Sequence, residues 1–410
     1  MLEFHKSAYL KKVLILQWSC SMYVSKNEAV KKLIQGEVVA IPTETVYGLA
    51  AIISNDAAIK KIFETKKRPF FDPLIVHVKN KEQAKLYSAN WSIIHDLLAD
   101  KFWPGPLTLV VPKVKVSDLI TSGLTTVGLR CPNHKVALDI LNQLSEPFAA
   151  PSANLFGKTS PTQAKHVEQE FSGQVSVVEG GASEFGIEST IIAVNVDDFE
   201  KPKNIKISFL RLGSITQNQI EASLKYYSDT TKVKIEFEDG RKNKKILAPG
   251  QVEHHYMPAI PILWVSENHL IKYLESSENE IGSELINISE FTKNKIQMNK
   301  QNTDQNNNLK SHQIKIQIDK YKENSINRIH LKIIELLKNS TGNNFEKYSL
   351  LNLNESPVIA ARELYSKMRE CCEENSDIII CIKLNSQVGE LWESIHDRLS
   401  RAATFKILQS

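Results

Sequence analysis

Cysteine is scarce in this chain: five in 410 residues (Cys20, Cys131, Cys371, Cys372 and Cys381), with no CxxC pair and no regular framework. That excludes a disulfide-built secreted scaffold and makes reduced thiols in a cytoplasmic protein the expectation. Long apolar runs are missing as well. The best candidate, "VLILQWSCSMYV" at 13–24, is broken by Gln17, Ser19 and Ser21 and falls short of the ~20 residues a span requires, so no membrane segment is expected. Charge of one sign is not in excess, since 51 basic residues stand against 47 acidic ones for a net +4. A chain-wide nucleic-acid coat is therefore excluded, and any cationic site must be local. No GxGxxG follows a strand, and the "GKT" at 157–159 is no Walker A loop, because Ser152 stands where that loop requires glycine. His254 and His255 are neighbours with no third ligand at zinc-like spacing, so no metal cage is expected. Nor is there a Ser/His/Asp arrangement, a suitable pair of carboxylates or a nucleophilic cysteine.

What is present is enough apolar residue, 42%, for two or three cores. Strand-length runs ("EVVAIP", "PLIVHV", "PLTLVV", "TVGLR", "PFAAP", "VSVVEG", "STIIAV", "ISFLRL") alternate with helical stretches ("NEAVKKLIQ", "DAAIKKIFETKK", "PTQAKHVEQEF"), which predicts an α/β sheet with helices on its faces. Ser160 is expected to cap the third helix, with Pro161 in its first turn. The stretch 229–260 turns polar and then Pro-, Gly- and His-rich, and reads as a linker. A second, smaller α/β unit at 261–410 follows, with strands at "PILWV", "SELINI", "YSLLNL" and "DIIICIKL" and helices at 325–339, 356–374 and 387–402; its Asn-rich stretch 293–313 reads as a mobile loop. Met22 precedes a well-formed helix start, so residues 1–21 are expected to be a dispensable extension.

Several stretches carry candidate chemistry. In "ETKKRPFFDPLIVH", Lys66, Lys67 and Arg68 end a helix, where cations complement the dipole; Arg68, wedged before a proline-stiffened turn, also suits bidentate phosphate binding. "APSANLFGKTSPT" offers small side chains and backbone amides before a helix, an anion pocket or an ordinary capped loop. "IPTETVYGLAA" sets Thr43 and Thr45 at the end of a strand, where α/β sheets bind ligands, or in a plain turn. Arg130 in "TTVGLRCPNH" lies inside an apolar strand and needs an anion, from a structural carboxylate or from a substrate. "FGIESTII" and "ISFLRLGSIT" add Ser189, Thr190 and Arg211, and His77 ends its strand as a core residue more readily than as a catalyst. A cationic, hydroxyl-rich site of this kind suits chemistry at phosphorus, where positioning and charge neutralisation do most of the catalysis.

These segments, with "PTETVYGL", "FWPGPLTLV" and "GLRCPNH", occur in the order and approximate spacing of the Sua5/YrdC family, which the chain resembles from about residue 24 to 224; "APGQVEHHYMP" resembles the linker of its longer members. The resemblance implies a YrdC-like twisted open sheet with helices on both faces at 22–228, a linker or lid, and a Rossmann-like Sua5 domain. It implies an L-threonylcarbamoyladenylate synthase, a nucleotidyltransferase that makes threonylcarbamoyl-AMP and pyrophosphate from L-threonine, bicarbonate or CO2, and ATP, with Mg²⁺ on the nucleotide. A tRNA threonylcarbamoyl transferase complex, with weak tRNA contact, would be the downstream partner. By the same resemblance Lys66, Arg68, Ser152 and Asn154 carry catalysis; Arg68, Asp72, Thr126, Ser152, Ser160, Arg211 and Tyr256 meet ATP; and Thr45, His77, Arg130, Ala150 and Ser189 meet threonine. The sequence departs from the family at Asp72, usually Asn, at Lys67, Leu212 and Met257. An RNA-binding module and a carbamoyl-transferring maturation factor are the alternatives; the zinc-finger and acylphosphatase-like regions of the latter are not found.

Overall fold

Ser25 opens the first helix with a capping box: its hydroxyl accepts from the Glu28 amide, and the Glu28 carboxylate accepts from the Ser25 amide. The computed structural model describes residues 22–242, 249, 255–276, 334–339, 341–343 and 345–408. The expected extension 1–21, the strand "SELINI", the Asn-rich loop and the start of the helix at 325–339 lie outside them. Two compact units meet in sequence between His255 and Tyr256.

The first unit contains helices α1 (Lys26–Ile34), α2 (Asp56–Lys66), α3 (Lys81–Lys85), α4 (Ile93–Phe102), α5 (Asp118–Thr121), α6 (Lys135–Gln143), α7 (Ala164–Phe171) and α8 (Gln217–Thr231). Its strands are β1 (Val39–Ile41), β2 (Gly48–Ile52), β3 (Ile75–His77), β4 (Leu107–Pro112), β5 (Thr126–Arg130), β6 (Phe148–Ala149), β7 (Ser176–Val177), β8 (Thr190–Val196), β9 (Asn204–Arg211) and β10 (Lys234–Asp239). They form one mixed sheet in the order β10-β9-β8-β4-β5-β3-β6-β2-β1-β7.

Because side chains alternate between the faces of a strand, the sheet sorts its apolar residues into two layers. Ala40, Leu49, Val76, Val127 and Leu129 pack with Ile59, Ile62 and Phe63 of α2 and with Val167 of α7 on one face. Leu107, Leu109, Ile192 and Phe209 pack with α4 and α8. Val39, Ile41, Ala50 and Phe148 point the other way, under α1 and α6. Among the described residues, that second face over β3, β4, β8 and β9 carries the small buried cluster Ile75, Val110, Ile191 and Leu210, to which no described helix contributes. The candidate site borders that cluster, where a cleft is lined by Ile75, Val110 and Ile191.

Three local expectations are corrected. Residues 48–52, expected as part of a turn, form the interior strand β2, whose register with β1 runs Ile41↔Gly48 to Val39↔Ala50. In the stretch expected as linker from 229, α8 continues to Thr231 and β10 adds an edge strand parallel to β9; its alternating charges suit an edge strand and disguise it as a linker. The third expected helix begins at Ala164 rather than after Ser160.

The second unit is a parallel sheet, β12-β13-β11-β14, of β11 (Ile262–Ser266), β12 (Tyr348–Leu350), β13 (Ile378–Lys383) and β14 (Phe405–Ile407). Helices α9 (Glu267–Ser276), α10 (Pro357–Glu373) and α11 (Glu390–Ala402) accompany it, the Rossmann-like pattern expected. Among the described residues no helix is long and apolar enough to cross a membrane.

Candidate active site

Period-two alternation decides which residues share the face of that cluster: with Val127 and Leu129 in the core, Thr126, Gly128 and Arg130 take the other face, and so do Thr108 and Val110. A small cleft is lined there by Pro73, Ile75, Thr108, Thr126, Gly128 and Ile191 among others. Gly128 keeps its floor low, since a Cβ would stand 3.0 Å from Thr108 Cγ2.

One group of candidate residues is Lys66 and Arg68. Helix α2 ends at Lys66, and Lys67 takes a left-handed conformation (φ 50°) that turns the chain so that Arg68 points inward. Both side chains are buried. Lys66 Nζ donates to the carbonyls of Ser152 and Asn154, while the Phe156 amide donates 2.7 Å to the Lys66 carbonyl. The lysine thus braces the 152–156 loop, and burial, then Arg68, push its pKa well below the usual lysine value. Arg68 pairs with Asp72 at 2.9 Å and donates to the Asp72 and Pro73 carbonyls. Burial raises the Asp72 pKa against the pull of Arg68, Lys66 and Arg211. So the unusual carboxylate has a structural partner.

Arg211, at the end of β9, donates to the Ser189 carbonyl and hydroxyl, both at 3.0 Å, and Ser189 Oγ shares a 2.8 Å hydrogen bond with Thr108. Gly213 permits this: a Cβ there would lie 2.3 Å from the Thr190 amide. Ser160, expected to cap a helix, instead donates 2.7 Å to Glu188. His255 lies buried in the same neighbourhood, edge-on to Phe156 at 5.9 Å; burial drives its pKa to about 3, with Glu188 pulling the other way and Arg68, Lys66 and Arg211 adding to the drop.

The other centre is Arg130, paired across strands with His77. Its Nη2 donates 2.8 Å to Thr45 Oγ1 and meets Glu44 Oε1 at 2.8 Å. His77 stacks on Phe148 at 5.5 Å and is held neutral, its pKa near 3, by burial and then by Arg130. Ala150 hydrogen-bonds the Ile75 carbonyl, and Ser152 bridges Gly48. The expected site residues of the first unit thus fall into local groups: Thr45, His77 and Arg130; Lys66, Ser152 and Asn154; Arg68 and Asp72; and Ser189 and Arg211. Tyr256 belongs to the second unit, where its buried ring stacks on Tyr365 at 5.7 Å and under Arg398. Glu44, Glu188 and His255 were not singled out as site residues in the sequence. The signal for Glu44 was there, since a buried arginine demands an anion and "PTET" places a carboxylate between two candidate hydroxyls. Among the described residues no three His, Cys, Asp or Glu side chains gather as metal ligands.

Fold and site define a mixed-sheet α/β protein whose first unit buries paired cations and hydroxyls beside its sheet. A family model described as "Telomere recombination", named for Sua5, YciO and YrdC, matches residues 31–212, and one described as "Threonylcarbamoyl-AMP synthase, C-terminal domain" matches residues 215–404. A threonylcarbamoyl-AMP synthase from Pyrococcus abyssi is 40% identical over 233 residues, 56% of this chain and 65% of that one, so the match spans just under two thirds of that relative. One from Bacillus subtilis is 37% identical over 263 residues, 62% of this chain and 72% of its own. The crystal structure of P. abyssi Sua5 complexed with L-threonine superposes with a TM-score of 0.67 at 27% identity, covering 94% of this chain and 96% of that one. The chain belongs to the Sua5/YrdC family.

Proposed function

We propose that the chain is an L-threonylcarbamoyladenylate synthase, a nucleotidyltransferase that makes threonylcarbamoyl-AMP and pyrophosphate from L-threonine, bicarbonate or CO2, and ATP. Its product would supply N6-threonylcarbamoyladenosine at position 37 of tRNAs that read codons beginning with A. The observation that supports the reading is a pair of buried arginine centres in the first unit: Arg130 with Thr45, Glu44 and, across strands, His77, and Arg68 with Asp72, whose carboxyl also feels Lys66 and Arg211. The relatives named above, one of them solved with L-threonine, agree with it.

In this reading Arg130 holds the threonine carboxylate, and Thr45, His77, Ala150 and Ser189 shape the rest of that subsite. The amine attacks CO2 or bicarbonate; the carbamate oxygen then attacks the α-phosphorus of ATP and expels pyrophosphate. Arg68 and Arg211 neutralise the triphosphate, whose charge is spread over its outer oxygens. Lys66 and Asn154 shape the loop that presents Ser152. Thr126, Ser160 and Asp72 border the nucleotide. Mg²⁺ would accompany the nucleotide and add to the charge neutralisation that Arg68 and Arg211 provide. Carbamate and mixed anhydride both need exclusion of water; Tyr256, expected at the nucleotide, is instead buried in the second unit against Tyr365. Four described cysteines are free thiols, in keeping with a cytoplasmic setting. The transferase complex that consumes the product, with weak tRNA contact, completes the partner set.

The test is incubation with ATP, labelled bicarbonate and each amino acid in turn. Threonine-specific, bicarbonate-dependent release of pyrophosphate is expected; release that ignores the amino acid would refute the reading.

A further inference from the structure

An amino acid arrives as a zwitterion, so a site that grips its carboxylate with Arg130 must also deal with its ammonium. Glu44 is the buried carboxylate at that place, 1% exposed, with one oxygen 2.8 Å from Arg130 Nη2. Beyond that ion pair neither of its oxygens has a hydrogen-bond partner. The nearby hydroxyls are already committed: Thr43 donates its one proton to the Val46 carbonyl at 2.5 Å, so Thr45 donates to Thr43 and accepts from Arg130. A buried carboxylate with spare acceptor capacity is expensive unless a donor visits it. The adjacent backbone is fixed, since the Glu44 carbonyl accepts from the Phe185 amide and the Thr43 carbonyl from Ser183.

We propose that Glu44 receives the ammonium of the bound amino acid and takes one of its protons, yielding the amine that attacks; this rests on the synthase reading above. The zwitterion lies antiparallel to the Glu44–Arg130 pair, carboxylate to guanidinium and ammonium to carboxylate, so that each charge meets its opposite. The N–H bond breaks with its electron pair staying on nitrogen, and the proton passes to a Glu44 oxygen. The amine then forms the N–C bond. With bicarbonate the carbonate hydroxyl leaves as water with the second amine proton; with CO2 that proton goes to solvent. His134 and Cys131, the titratable groups that feel Glu44, and His77 beside Arg130 are poor takers of the first proton. Burial and Arg130 keep His77 neutral, burial keeps His134 below its usual value, and the Cys131 thiol, pushed up to about 12 by burial and then by Glu44 itself, holds its own proton.

The test uses the full chain and Glu44→Gln, which keeps the shape and removes the charge. L-threonine and 3-hydroxybutyrate, which retains carboxylate and hydroxyl but lacks the amine, are titrated in parallel. Threonine affinity is expected to fall at least roughly tenfold while 3-hydroxybutyrate affinity changes less than about threefold. In the variant, threonine-dependent pyrophosphate release should also rise with pH toward the amine's own ionisation, where the wild type is flat. Equal loss of both ligands would mean that Glu44 only braces Arg130, and the inference falls. A wild type that releases no pyrophosphate with threonine would instead sink the synthase reading. Should Glu44→Gln not fold, Glu44→Asp serves: it keeps the pH profile of the wild type but withdraws the acceptor by one methylene, and a turnover unchanged within twofold would overturn the proposal.

Discussion

Replacing Arg68 by alanine removes two things at once, a cation facing the proposed triphosphate and the partner of a carboxylate with no exposure. Asp72 sits 2.9 Å from the guanidinium and is completely buried, and the same guanidinium donates to the Asp72 and Pro73 carbonyls. Breaking such a pair from one side leaves an uncompensated charge and costs about 3–5 kcal/mol. For a unit of this size each kcal/mol lowers Tm by about 2–4 °C, so calorimetry should show a fall of roughly 6–20 °C. The double substitution Arg68→Met/Asp72→Leu replaces the pair with apolar volume, which is often neutral or stabilising. Its Tm should return to within about 4 °C of the wild type, while pyrophosphate release stays at least ~100-fold down. The pH dependence has a definite sign. The Asp72 pKa is raised in the folded protein, and losing Arg68 raises it further, so the folded state binds this proton more tightly than the unfolded chain does. Stability from this group is therefore lost as pH rises from the ordinary carboxylate range through the raised value, and the deficit of Arg68→Ala should shrink on acidification. A single variant that melts with the wild type, a deficit that grows in acid, or a double variant with restored turnover would each refute the reasoning.

His77 and His255 have folded pKa values near 3 and His95 near 4, all depressed first by burial. The stability these histidines contribute is therefore complete above about 6.5 and is lost as pH falls toward those values, each contributing at most about 1.4 kcal/mol per pH unit; denaturant titrations should show a shallower acid limb for His77→Asn. Gly213→Ala forces a Cβ to within 2.3 Å of the Thr190 amide, so a loss of about 1–3 kcal/mol or more is expected, together with weaker nucleotide binding through Arg211 and Ser189; unchanged melting would contradict the packing. Tyr256→Ala empties a buried position against Tyr365, and hydrogen exchange in α10 should rise with a loss of about 3–5 kcal/mol from the second unit; exchange that does not change would place the ring outside that core.

The order of motifs along the chain was enough to indicate an α/β class with two units, and it supplied most of the residues proposed for the site. Alternation and Pro/Gly punctuation are local properties, and strands such as 126–130 and 190–196 announce themselves by them. Strand β2 did not, because Gly48, Ala50 and Ala51 carry little side-chain preference and owe their strand conformation to hydrogen-bonded neighbours on both sides. Ser160 looked like a cap for the same reason: a serine before a proline signals a helix start locally, whereas its actual partner Glu188 lies 28 residues away. By itself the sequence determined that Arg130, placed between apolar residues, would be buried and would need an anion. Only the folded chain could decide which anion. Glu44 reaches it from the loop between β1 and β2, a pairing 86 positions apart in the sequence (130 − 44) that no short-range pattern encodes and that the sheet's register brings within 2.8 Å.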